Sequence, residues 1–206
     1  MSGARGQGRW VNASSARPQL CLAQEEAADR LLSENPFALV VGMLLDQQFP
    51  MERAFAGPAR LAERFGELEP VAVTAAEPQA FAALCSQTPA IHRYPGSMAT
   101  RIQAVAAHVV AEHGGDTALI WQQARSGSEL LTRMKALPGF GPQKAAIFVA
   151  LLGKQLGVQP DGWRAAAGDY AEPGSYRSVA DVVDADSLVK VRTFKAEKKA
   201  AARSPS

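Results

Sequence analysis

The sequence predicts an all-α fold, and three observations carry that prediction. Apolar residues recur at helical spacing along nearly the whole chain, no segment alternates as a half-buried strand would, and Pro, Asn and Gly fall where helices begin and end. The chain has 206 residues, a length that suits one compact unit or two small, intimately packed lobes. Hydrophobic residues make up 47% and charged residues 20%, which supports a real core and excludes global disorder.

The elements follow in order. Met1 to Pro18 is rich in Gly, Ser and Arg, lacks the apolar centre of a secretion signal, and is expected to be a flexible leader. Leu20 to Ser33 forms a helix with Leu22, Ala23, Ala27, Leu31 and Leu32 along one side. Asn35 caps the next helix, Pro36 to Gln48, and Pro36 takes its first position, where the missing N–H is harmless. That helix is apolar nearly all round and therefore central, until Asp46, Gln47 and Gln48 end it abruptly. Met51 to Phe65 is amphipathic and stops at Gly66, and Glu77 to Cys85 is a short helix. A loop, Thr88 to Ser97, precedes the helix Met98 to His113, which Gly114 and Gly115 close. Thr117 to Ala124 is short, Ser128 to Ala136 starts at a capping Ser128, and Pro142 to Gly153 follows a glycine turn. Weaker helices are expected near Ala165 to Tyr170, Ser178 to Val182 and Ser187 to Ala202.

Composition excludes several chemistries. Cys21 and Cys85 are too few for an iron–sulfur cluster, which needs four thiolates, and no zinc-ligand spacing occurs. His92, His108 and His113 form no ligand motif, so neither metal nor cofactor is expected. No apolar run reaches the length of a membrane span, and the sparse cysteines fit a reducing cytoplasmic setting. Net charge is only +2, a weak argument for nucleic acid, but Lys190, Arg192, Lys195, Lys198, Lys199 and Arg203 face only Glu197 near the C-terminus. That run is either a basic patch or a solvated helix end.

The most informative segment is Leu137-Pro138-Gly139-Phe140-Gly141-Pro142-Gln143-Lys144-Ala145-Ala146. A Gly-x-Gly turn here opens directly into a helix, so the first helical N–H groups point outward at the positive end of the dipole. Such a turn suits a phosphate. Asp161 follows in Gln159-Pro160-Asp161-Gly162-Trp163, either as a reactive carboxylate beside the turn or as one residue of an ordinary Pro-Asp-Gly β-turn.

The helix–turn–helix unit from Ser128 to Gly153, followed by Asp161, resembles the helix-hairpin-helix (HhH-GPD) DNA glycosylases of the endonuclease III superfamily. Asn35-Pro36-Phe37 and Leu44-Leu45-Asp46-Gln47-Gln48 look like that family's early helix, which ends in a strand-inserting Gln. The likeness covers about residues 30 to 165. It implies a two-lobed helical fold with a cleft between the lobes. One lobe, carrying the hairpin, would be built from 19–34 and 138–206, and a central helical lobe would span 35–137. It implies a DNA glycosylase of base-excision repair that rotates a damaged or mispaired base out of double-stranded DNA. Asp161, 18 residues after Gln143, would be the catalytic carboxylate.

Gln143 stands where strand-cutting relatives carry a Schiff-base Lys, which implies a monofunctional enzyme using water. Lys144 is adjacent but about 100° further round the helix, and is read as a phosphate contact or an exposed residue. The resemblance further implies backbone contacts from Leu137, Gly139, Gly141, Gln143 and Lys144. It implies gap filling by Gln47 or Gln48 and a wedge from the loop His92-Arg93-Tyr94. Trp163 and Tyr170 either line a base pocket by stacking or are core aromatics. Pro160 before Asp161, and the lack of a four-cysteine loop, resemble the cluster-less, alkylbase-removing branch. The implied partner is DNA, with no membrane, and the protein would be a monomer in the bacterial cytoplasm, on the nucleoid. The competing reading is a non-catalytic hairpin protein that recognises abasic or distorted DNA.

Overall fold

The computed structural model describes residues 19–202; the leader and Arg203 lie outside them. The described residues form eleven α-helices, two short 3-10 turns and no strand. The helices are α1 (Glu26–Glu34), α2 (Pro36–Leu45), α3 (Met51–Phe65), α4 (Pro70–Ala75), α5 (Pro78–Ser86), α6 (Pro95–His113), α7 (Leu119–Gln122), α8 (Gly127–Ala136), α9 (Pro142–Gln155), α10 (Trp163–Ala167) and α11 (Ala185–Ala201). The 3-10 turns are Gly168–Ala171 and Val179–Asp181.

Two helices form the spine of the core. Every residue of α2 from Phe37 to Leu45 is buried, which matches a helix apolar on all sides. It starts as the sequence demands, with the Asn35 side chain accepting from Ala38 N at 2.9 Å and Pro36 in the first turn. In α9, Phe148 through Gly153 are buried likewise. Each fully buried Leu, Val or Phe contributes on the order of 1.5–3 kcal/mol, so these two helices anchor the packing of the rest.

The helices divide into two groups, with α1, α2, α3 and α6 packing together and α4 and α5 closing over α6. The second group is α8, α9 and α10 packed on one another, with α7 on α8, both 3-10 turns on α9, and α11 on the second turn. The α1 segment packs on α2 and α3, while α7 packs on α8 and α8 on the hairpin helix α9.

Several element boundaries also differ. Leu20 to Glu25 is not helical, because the Asp29 carboxylate accepts from Leu22 N and Ala23 N, both at 2.7 Å, and folds the segment back onto α1. Burial nonetheless raises the Asp29 carboxyl above its ordinary range. Helix α4 was not expected; its six residues are too few to show a period. Ser126, not Ser128, caps α8, accepting from Glu129 N at 3.2 Å. The last helix begins at a capping box formed by Asp184 and Ser187.

Candidate active site and nucleic-acid interface

The hairpin between α8 and α9 presents a ring of free donors. No acceptor among the described residues takes the N–H groups of Gly139, Gly141, Gln143 or Lys144. They lie at the positive end of a 14-residue helix, an arrangement that attracts an anion. The two glycines serve differently. Gly139 has φ +83° and a Cβ there would lie 2.8 Å from Leu44 Cδ1, so it is needed by the fold. Gly141 has φ −72° and open space where a Cβ would stand, so nothing in the protein requires it. Leu137 offers no free donor, contrary to expectation: its side chain is buried, its N–H bonds Met134 O at 3.3 Å, and its carbonyl accepts from Phe140 N.

Lys144 is not an exposed phosphate contact either. Its ammonium reaches back across the two helix groups to the C-terminus of α2, at 2.5 Å from Met43 O, 3.0 Å from Leu44 O and 3.3 Å from Asp46 O. Three ammonium hydrogens meet three carbonyls at the negative end of a helix. Burial pushes this amine down to about 8, against the pull of Asp46.

The segment that Lys144 holds carries the two glutamines, and the structure separates them. Gln47 is fastened: its amide N–H₂ donates to Leu44 O at 2.7 Å, and its oxygen accepts from Arg101 at 3.1 Å. Gln48 is exposed, has φ +52°, and has no side-chain hydrogen bond within the described residues. Of the expected pair, Gln48 is the free amide.

The loop 92–94 divides the same way. His92 is buried; its Nδ1 accepts from Tyr94 N at 3.0 Å, which leaves the Nε2 proton to donate to Gln47 O, also 3.0 Å. His92 is thus a bracket for the glutamine turn and cannot be the wedge. Tyr94 is 47% exposed, with the Arg93 guanidinium over its ring at 5.2 Å. Gln48 and Tyr94 border one hollow of about 300 Å³, with Gln47, His92, Met98 and Arg101 around it.

Asp161 is not brought to the hairpin. It is exposed, and its carbonyl accepts from Gly127 N at 2.7 Å, at the start of α8. Trp163 is buried two residues later; a Cβ on Gly153 would lie 2.3 Å from its ring, so Asp161 sits beside the far end of α9. Gln143 is ten residues earlier on that helix, about 15 Å away along the axis. The tripeptide Pro160-Asp161-Gly162 forms a turn, with Trp163 N bonded to Pro160 O at 3.0 Å. Trp163 is core rather than pocket, wedged where Gly127 and Gly153 leave room for it.

A cavity of about 570 Å³ does open beside Gln143. It is lined by Gln143, Ile147 and Ala146 of α9, by residues 166–170, by Arg177, and by Phe194, Lys195 and Lys198 of α11. The Gln143 amide donates to the Tyr170 hydroxyl at 2.9 Å. Asp169 is the only carboxylate among the lining residues. It is mostly exposed and lies 3.4 Å from Arg177, which also holds Glu172 at 2.7 Å. Sequence reasoning missed Asp169, Arg177 and Phe194. The basic run near the C-terminus was the one available signal, and two of its members, Lys195 and Lys198, reach the cavity. Arg192 of the same run pairs with Glu52 of α3 and ties α11 to the first helix group.

Among the described residues no group of three or more His, Cys, Asp or Glu could hold a metal ion, and no helix is long and apolar enough to cross a membrane. No curated protein matches the sequence. A family model, the HhH-GPD superfamily base excision DNA repair protein, matches residues 41–203 and so includes the second half of α2, the glutamines that follow it, the hairpin and the cavity. With that match over most of its length, the chain belongs to the HhH-GPD superfamily of base excision DNA repair proteins.

Proposed function

We propose that this protein is a monofunctional DNA glycosylase, acting as a monomer on a base everted from double-stranded DNA into the cavity beside Gln143. The free N–H groups of Gly139, Gly141, Gln143 and Lys144 hold one phosphate of the damaged strand, a contact that reads no sequence. Gln48 fills the space left by the base, and Tyr94 wedges beside its former partner. The observation that carries the reading is Gln143: a side chain without a nucleophilic amine occupies the first turn after the clamp, at the rim of a base-sized cavity.

An amide cannot form a Schiff base, so water must be the nucleophile. The sugar–base bond breaks with its electron pair going to the base, and charge builds on the sugar. Asp169 stabilises that charge and takes a proton from the water as its oxygen bonds to the sugar carbon, while the departing base, which keeps the bond's electron pair, takes up a proton from solvent. The free base and an unbroken strand with an abasic site leave the enzyme. Asp169 replaces Asp161 in this role, because only Asp169 borders the cavity.

The test is a panel of duplexes, each with one altered base, incubated with the protein and analysed with and without alkali. Strand cleavage only after alkali, lost in Asp169→Asn and retained in Asp161→Asn, is the expected result; cleavage without alkali contradicts the role given to Gln143. One observation favours a second reading, a non-catalytic binder of abasic or distorted DNA. Asp169 is 81% exposed, whereas a carboxylate acts most strongly when water is excluded. Tight binding with no base released from any duplex would decide for the binder.

A further inference from the structure

The charges around the cavity point to the class of base it accepts, an inference that rests on the glycosylase reading. Lys195 and Lys198 line the wall contributed by α11, and neither has an ion-pair partner among the described residues. Arg177 adds a third positive group and Asp169 a single negative one, so the lining carries a net positive charge. Lys144 lies close enough for Lys195 to disfavour its charge.

A cationic base, such as a purine methylated on a ring nitrogen, is best held by an electron-rich aromatic face. The phenyl ring in this lining is already engaged. The Lys198 ammonium lies 5.5 Å from the Phe194 centroid and the Arg177 guanidinium 5.9 Å. The other ring, Tyr170, accepts the Gln143 amide proton at its hydroxyl, and the Gln143 carbonyl oxygen has no donor among the described residues. A positive base would therefore meet repelling lysines and a ring shared by two cations. A neutral base with exocyclic carbonyls would meet the opposite: ammonium donors for its oxygens, an amide oxygen for its ring N–H, and apolar Ile147 and Ala146 beneath its face.

We infer that the cavity selects electrically neutral, carbonyl-bearing bases and rejects alkylated purines that carry a positive charge. This opposes the direction in which Pro160-Asp161 points when read from sequence. Lysines that touch DNA phosphates strengthen every duplex equally, so the ratio between two lesions isolates the cavity.

The experiment uses three duplexes of one sequence, carrying 7-methylguanine, 8-oxoguanine or uracil at the same position. The first two are modified guanines of similar size that differ in charge. Base release and duplex affinity are both measured, for the full chain and for K195E/K198E. The expected result is a preference of about tenfold or more for 8-oxoguanine or uracil over 7-methylguanine, reduced or reversed in K195E/K198E. Preference for 7-methylguanine, or a ratio unmoved by the double substitution, overturns the inference. If no base is released but the affinity ratio still favours the neutral lesions and shifts in the variant, the selectivity stands and the glycosylase reading falls. If neither release nor affinity distinguishes the lesions, the selectivity falls.

Discussion

Replacing Lys144 with Met tests whether one ammonium joins the hairpin to the glutamine turn. Of its three carbonyl partners, Leu44 O keeps a second donor, the Gln47 amide at 2.7 Å, while Met43 O and Asp46 O receive no other hydrogen bond among the described residues. K144M therefore strands two carbonyls at the end of a buried helix. Each stranded acceptor costs about 1–3 kcal/mol, and the loss of a cation at the helix C-terminus about 0.3–1 kcal/mol more. Removing a charge that had to be desolvated offsets part of this. The net is a destabilisation of about 2 kcal/mol, or roughly 4–8 °C in Tm for a chain of this size.

Thermal unfolding followed by circular dichroism measures it, and base-release assays at a temperature where both proteins are folded measure the rest. K144M should bind an abasic duplex nearly as well as the parent but release a base more slowly, because the turn presenting Gln48 has lost its anchor. The amine also marks a pH window. Its folded value, about 8, lies below the ordinary 10.5, so between these values the unfolded chain holds a proton that the folded chain has lost. Stability from this group therefore rises with pH through that window and is lost as pH falls through 8. Asp46 favours the charged form there, while Arg101 and Lys195 oppose it. The Tm difference between parent and K144M should widen from pH 7.5 to pH 9.5. An unchanged Tm in K144M, or a difference that narrows with pH, refutes the reasoning.

The two hairpin glycines should separate fold from binding. G139A forces a Cβ into a left-handed residue and against Leu44, for about 1–3 kcal/mol of lost stability by thermal melt. G141L should leave stability within about 0.5 kcal/mol yet weaken binding to every duplex alike; a loss confined to one lesion contradicts a phosphate clamp. The glutamines should separate in the same way. Q48A keeps the parent Tm and slows base release on the order of tenfold, since an everted base loses the group that fills its place. Q47A, which breaks bonds to Leu44 and Arg101, lowers stability by about 1–2 kcal/mol. Equal melting temperatures for Q47A and Q48A would remove the distinction drawn between them.

Much of the helical architecture was legible because its punctuation is local. Asn35-Pro36 and Pro142 start helices through chemistry confined to one turn, and Gly66 ends one, so reading them needs no knowledge of the partner helix. The clamp was legible for the same reason: a Gly-x-Gly turn before a helix leaves donors free wherever the rest of the chain goes. Lys144 was not legible. Its rotation away from Gln143 follows from helix geometry, but its destination, the end of a helix about a hundred residues earlier, depends on tertiary packing. The contacts of His92 and Gln47 were illegible in the same sense, since a polar residue in a loop reads alike whether it projects or braces.

The acid shows why an interval in sequence is a poor guide to an interval in space. Eighteen residues can end beside their starting point if a short helix is followed by a long return. Here α9 extends to Gln155, and the five residues between it and Asp161 stay at that end of the helix, with Val158 N bonded to Leu152 O at 3.1 Å and the Gln159 amide donating to Gly153 O at 2.8 Å. The return is made afterwards, by α10 packed on α9 and by the 3-10 turn at Gly168–Ala171. That path ends where the Tyr170 hydroxyl meets Gln143, and Asp169 is the carboxylate it delivers. The Pro160-Asp161-Gly162 turn starts this return, and its carbonyl contact to Gly127 fixes the point of departure. The position a family pattern assigns to the acid thus lies in a turn, and the carboxylate that borders the cavity, to which the proposed mechanism gives the role, stands eight residues downstream. Exchanging the two roles is directly observable: if Asp161→Asn abolishes base release while Asp169→Asn leaves it intact, the chain must rearrange on DNA to carry the far end of α9 toward the hairpin, and the cavity described here is not where the base is cut.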